Sequence, residues 1–260
     1  MTASESAAQV GVARIATVGL AAGLLSGVFG VGGGILVVPA LVLFVKMDQR
    51  IAHGTSLAAV LPISMASLVT YWVQGNVDWP VAAWLAIGAV AGAVLGTKLL
   101  HVLPHKALAI GFSTLLLVTA ARLFVAGESA GRDALDWKAG VVLVAVGLVT
   151  GILAGLLGVG GGVVMVPAMM MILSEASVVA KGTSVAVIIP TALMGTWRNR
   201  RNNNADLKAA AIVGLGGIAS AVVGGWIAGR MDETVSNVLF AILLVVVAAR
   251  LLVDVRRSDH

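Results

Sequence analysis

The chain has 260 residues, 59% of them hydrophobic and only 11% charged, whereas a soluble domain carries about 45–50% apolar and about 25% charged residues. That balance excludes a soluble enzyme or binding domain and describes a polytopic membrane protein. The net charge of +5 suits cytoplasmic loops facing anionic lipid, so no nucleic-acid partner is implied; the absence of cysteine excludes disulfides, thiolate metal sites and a persulfide relay.

Residues 1–9 form a tail with Glu5 and no Lys or Arg, so they lack the basic start of a cleaved leader, and the apolar run that follows is expected to be retained. That run covers about 10–29 and leads into GVFGVGGGILVVPA at 27–40. Four further apolar segments follow at about 34–46, 54–73, 80–100 and 105–125. After a polar stretch at 128–137 the same five return, and GLLGVGGGVVMVPA at 155–168 lies 128 residues beyond its twin. The same offset pairs Gly54-Thr55-Ser56 with Gly182-Thr183-Ser184, Pro62 with Pro190, Asp78 with Asp206 and Arg122 with Arg250. The expected fold is all-α, about ten helical segments in two repeats at 10–127 and 138–254, with a short tail at 255–260.

If the first glycine stretch were only a kink, Gly11 to Val45 would form a helix about 50 Å long, too long for one crossing of about 30 Å of hydrocarbon. The chain is therefore expected to turn back at the glycines. With three further crossings each repeat is odd, and the second is inverted against the first. Both termini then lie in the cytoplasm. Most Lys and Arg fall on that side, among them Arg14, Lys46, Arg50, Lys98, Lys106, Arg198, Arg200 and Arg201, while Arg122, Arg132, Lys138, Lys181 and Arg230 fall outside. Charge separates this arrangement only weakly from a parallel one with four crossings per repeat; segment length decides.

Non-helical backbone at membrane depth is tolerated only where protein buries it or where it lines a wet cavity. A helix starting just after each glycine stretch is too short to span, and its first amides and positive dipole end face the turn. In inverted repeats two such ends converge, so Gly30, Gly32, Gly33 and Gly34 with Gly158, Gly160, Gly161 and Gly162 are expected to bind a small anion through backbone N–H groups. Gly88, Gly92 and Gly96, with Gly216, Ser220 and Gly224, read instead as helix-packing faces. A nucleotide loop is excluded, since no Gly-Lys-Ser/Thr is present.

Thr55, Ser56, Thr183 and Ser184 stand at expected helix starts, where their hydroxyls either cap free amides or donate to an oxyanion. His53 and Lys181 occupy matching positions, and either attract an anion into a vestibule or snorkel to the interface. Pro39, Pro62, Pro167 and Pro190 are expected hinges or kinks. Asp78 and Asp206 read as N-caps, and Trp72, Trp79, Trp137 and Trp197 as an aromatic belt. No Asp or Glu falls deep inside an apolar segment and no deep cluster of His, Asp, Glu or Cys is visible, so neither a carboxylate relay, an enzyme site, a metal nor a cofactor is expected.

The two G-x-x-G-V-G-G-G-x-x-x-V-P stretches, each followed about fifteen residues later by G-T-S, resemble the TauE/SafE family of sulfite exporters, grouped with sulfonate permeases, and the likeness runs from about 11 to 254. The resemblance implies a carrier, an exporter by the family's description, of small sulfur-containing anions such as sulfite or organosulfonates in the bacterial inner membrane. It places the family motif on the eight glycines above with Pro39 and Pro167, and implies Thr55, Ser56, Thr183 and Ser184 as pathway residues. Related thiosulfate carriers rely on cysteines, which this chain lacks. Two mechanisms fit: alternating access around the glycine turns, or an anion channel using the same amides. The oligomeric state is not legible.

Overall fold

Polar residues and glycines set the helix ends. The computed structural model describes residues 3–99 and 135–257, together with residues 110, 113, 114, 116–121 and 123, so the expected segment at 105–125 lies largely outside the described residues. The helices are α1 (Ala3–Phe29), α2 (Gly34–Phe44), α3 (Gln49–Val73), α4 (Trp79–Leu99), α5 (Trp137–Leu157), α6 (Gly162–Leu173), α7 (Ser177–Arg201), α8 (Leu207–Ala228) and α9 (Glu233–Arg257). Among the described residues there is no strand, and six helices are long and apolar enough to cross a membrane. With 11 and 12 residues, α2 and α6 reach only about 17 and 18 Å, short of a crossing.

Aspartates cap as expected. Asp206 accepts from the amides of Lys208 and Ala209 at 2.9 and 3.0 Å, and Asp78 from that of Val81 at 3.1 Å. Asp48 accepts from the Arg50 amide at 2.9 Å and so starts α3 ahead of the Gly-Thr-Ser stretch. The reading of Thr55, Ser56, Thr183 and Ser184 as helix starts is therefore corrected: they stand in the second turns of α3 and α7, where amides are already bonded within the helix.

The chain does turn back at the glycines. A Cβ on Gly33 would clash with the Ala22 carbonyl of α1, whereas an unbroken helix would hold these residues about 17 Å apart. Gly161 likewise sits against the Thr150 carbonyl of α5. Helices α3 and α7, equivalents in the two repeats, run antiparallel: Gly54 near the start of α3 meets Asn199 near the end of α7, and Gly182 near the start of α7 meets Tyr71 near the end of α3. Equivalent helices of parallel repeats would run the same way, so the repeats are inverted.

Each repeat is stitched to the other. Gly19, Gly23 and Gly27 of α1 lie against the carbonyls of Val213, Gly217 and Ala221 of α8; 128 residues on, Gly147, Gly151 and Gly155 of α5 lie against those of Leu85, Ala89 and Ala93 of α4. Such reciprocity is the mark of a two-fold axis. Gly88, Gly92 and Gly96 face carbonyls of Val144, Leu148 and Ile152, which bears out their reading as packing residues. Large apolar side chains such as Phe44, Met65, Ile87, Leu193, Leu215 and Val246 point outward, as a lipid-facing surface requires. Trp72, Trp79, Trp137 and Trp197 are exposed at helix ends, the first two packed edge to face at 5.8 Å.

Candidate anion site between the glycine turns

Positive φ builds both turns. Gly30, Gly32 and Gly33 have φ of 67°, 76° and 72°, and Gly158, Gly160 and Gly161 have 68°, 86° and 81°, a region that costs other L-residues about 1–2 kcal/mol. The chain can thus reverse within four residues and start α2 and α6 with no side-chain cap. The first bonds of α2 run from the Leu36 and Val37 amides to the Gly33 carbonyl at 3.0 and 3.3 Å, and those of α6 from Val164 and Met165 to Gly161 at 3.1 and 3.2 Å. The amides of Gly34 and Ile35, and of Gly162 and Val163, precede those ladders and carry the positive dipole ends.

The turns meet inside the protein. A Cβ on Gly34 would lie 2.6 Å from the Gly158 carbonyl oxygen, and one on Gly162 would lie 2.6 Å from that of Gly30. Gly32 and Gly160 both pack against Val60 of α3 and Ile188 of α7, themselves twins across the 128-residue offset. Gly30, Gly32, Gly33, Gly34, Gly158, Gly160, Gly161 and Gly162 are all buried, the only state a broken backbone tolerates in hydrocarbon.

The Gly-Thr-Ser stretches bind the opposite repeat. Ser56 Oγ donates to the Gly158 carbonyl at 2.8 Å, and Ser184 Oγ to that of Gly30 at 3.0 Å. Thr55 Oγ1 accepts from the Asp206 amide and Thr183 Oγ1 from the Asp78 amide, both at 2.9 Å. The serine protons are thus directed at backbone, while each threonine uses a lone pair and keeps its proton to offer. The glycine of each stretch admits a carbonyl, Asn204 against Gly54 and Asn76 against Gly182.

His53 and Lys181 are buried, with 5% and 1% of their surface exposed, so neither snorkels to an interface. The His53 backbone touches Gly158 and the Lys181 backbone touches Gly30. Lys181 Nζ hydrogen-bonds Ser236 Oγ and lies 5.7 Å from the Phe29 ring centre. Pro39 and Pro167 lie within α2 and α6, Pro62 and Pro190 within α3 and α7, and Pro62 packs against Gly214 of α8. Sequence reasoning missed Tyr71, whose hydroxyl donates to the Gly27 carbonyl just before the first turn, and the buried Glu175 between α6 and α7. Tyr71 is the chain's sole tyrosine and lies in an apolar segment, which was the available signal; Glu175 sits in polar punctuation and gave none.

Two inverted helical repeats, each broken by a re-entrant glycine turn and joined where the turns meet, define a polytopic membrane protein of the inverted-repeat class. The chain belongs to the sulfite exporter TauE/SafE family, whose model matches residues 15–175 and 143–260 and so takes in both repeats. It is 29% identical over 238 residues to a probable membrane transporter protein of Xylella fastidiosa strain 9a5c, covering 89% of each chain. It is also 25% identical over 248 residues to the probable membrane transporter protein YunE of Bacillus subtilis, covering 86% of this chain and 88% of that one. A second Bacillus subtilis protein, probable membrane transporter protein YjnA, is 24% identical over 252 residues, 92% of this chain and 98% of its own.

Proposed function

We propose that the chain is a secondary transporter, an exporter, of small sulfur-containing oxyanions such as sulfite or organosulfonates, working by alternating access in the bacterial inner membrane with both termini cytoplasmic. The observation that carries this reading is the meeting of two buried helix N-termini, those of α2 and α6, whose preceding glycines Gly32 and Gly160 pack against the same pair of residues, Val60 and Ile188, and whose first residues Gly34 and Gly162 each lie against the opposite turn. Half-helix N-termini of this kind suit an anion, because fixed N–H groups replace its lost water without a counter-charge. The sulfur chemistry follows the family's description.

Alternation has a physical basis in the paired bonds. Ser56 to Gly158 and Ser184 to Gly30 are equivalent closures related by the two-fold axis, so releasing one while keeping the other opens the site to one side. Thr55 and Thr183 supply hydroxyl protons near the pathway, and the helix prolines Pro62 and Pro190 supply places to bend.

Counterflow in proteoliposomes tests the reading. Sulfite and sulfoacetate are expected to exchange with saturation, and an uncharged sulfone is not. Unitary current steps in a planar bilayer would replace the carrier by an anion channel built on the same amides.

A further inference from the structure

The repeats match position for position around the turns but differ on one face. Lys181 stands where the first repeat has His53, its backbone on Gly30 as that of His53 is on Gly158. Its ammonium turns aside to Ser236 Oγ on α9, over Phe29, which is itself stacked on Phe240 of α9 at 5.6 Å. One turn before Lys181, the Ser177 amide donates to Glu233 Oε1 at 3.0 Å, so polar contacts join the first turns of α7 and α9. Ser177, Lys181, Ser236 and Asn237 are all buried, and Ser177 Oγ and Asn237 Oδ1 have no hydrogen-bond partner, so the cluster retains unused polar capacity. At the positions 128 earlier than Glu233 and Ser236 the sequence has His105 and Leu108, and a leucine offers no group for an ammonium.

A buried ammonium is costly unless it is paired, and lysine's flexible four-carbon stem lets it change partners without moving its backbone. With its Cα already against Gly30, rotation of the Lys181 side chain alone carries the charge from α9 toward the first turn. We propose that Lys181 is the movable cation of the anion site: Ser236 holds it as a latch between α7 and α9, beside the bond from the Ser177 amide to Glu233, and an oxyanion at the Gly30–Gly34 turn draws it away, so that occupancy frees α9 on this face only. The inference rests on the anion-carrier reading and adds to it a charge requirement and a one-sided gate.

Sulfite uptake by proteoliposomes of the full chain tests it in wild type, Lys181→Met, Lys181→Arg and Ser236→Ala. Removing the competing hydroxyl in Ser236→Ala lowers the KM for sulfite about threefold, whereas Lys181→Met raises it about tenfold or more and Lys181→Arg stays close to wild type. Lost packing would impair both sites alike, so the opposite signs identify the latch. An unchanged or raised KM in Ser236→Ala overturns it while leaving transport intact, and that variant decides the matter even where Lys181→Met does not fold. Failure of the wild type to move either sulfite or sulfoacetate overturns the carrier reading, and the latch with it.

Discussion

Three glycines with positive φ illustrate what a single residue contributes. At Gly33 and Gly161, with φ of 72° and 81°, alanine adds about 1–2 kcal/mol of strain, and at Gly33 its Cβ also meets the Ala22 carbonyl. Gly75 has φ of 74° but nothing within 4 Å of an added Cβ. Gly33→Ala is therefore expected to lower the melting temperature in detergent more than Gly75→Ala and to abolish transport, which Gly75→Ala retains. The serine bonds make a symmetric forecast. Ser56→Ala and Ser184→Ala each remove the side-chain partner of a buried carbonyl, at about 1–3 kcal/mol, and thermal unfolding should show nearly equal losses. These serines stood out in the sequence because the Gly-Thr-Ser triplet recurs. The direction of their bonds did not, since it depends on α3 and α7 crossing antiparallel, a property of two segments more than a hundred residues apart.

Among the elements, α2 and α6 exist because glycine ends the helix before each and no side chain caps them, so their leading amides are exposed to the turn. That much was readable, because the glycines repeat at one spacing and a continuous helix would be too long. The start of α3 was misplaced although Asp48 offered a capping signal, since the apolar run beginning near Gly54 masked the polar first turn. The polar contacts between α7 and α9 were invisible for another reason: Ser236, which takes the Lys181 ammonium, and Glu233, which takes the Ser177 amide, lie in a helix whose counterpart positions hold Leu108 and His105, so the duplication gave no hint of them. Helix packing yields its own forecast. Valine at Gly151 would push α5 off the Ala89 carbonyl of α4, and Gly151→Val is expected to cost about 1–3 kcal/mol or to prevent folding, read as a lower melting temperature or lost expression.

Across the whole molecule, the two-fold relation governs the backbone as well as the contacts. Every positive-φ position among the described residues has its twin 128 residues away, including Lys46 with Ser174 and Gly75 with Asn203. Inversion puts the end of α3 and the end of α7 on opposite faces. Single cysteines at Gln74 and Asn202 in this cysteine-free chain should accordingly react with an impermeant maleimide from opposite sides of the membrane; labelling from one side would contradict the topology.

The most direct measurement is solid-state NMR of the chain in bilayers with 15N-glycine, titrated with sulfite. Saturable shifts of the turn glycines in both repeats, Gly30 to Gly34 and Gly158 to Gly162, are the predicted result, with helix-packing glycines such as Gly88 and Gly92 unmoved. Shifts in one turn alone, in neither, or spread across the packing glycines would contradict an anion held between the two broken helices.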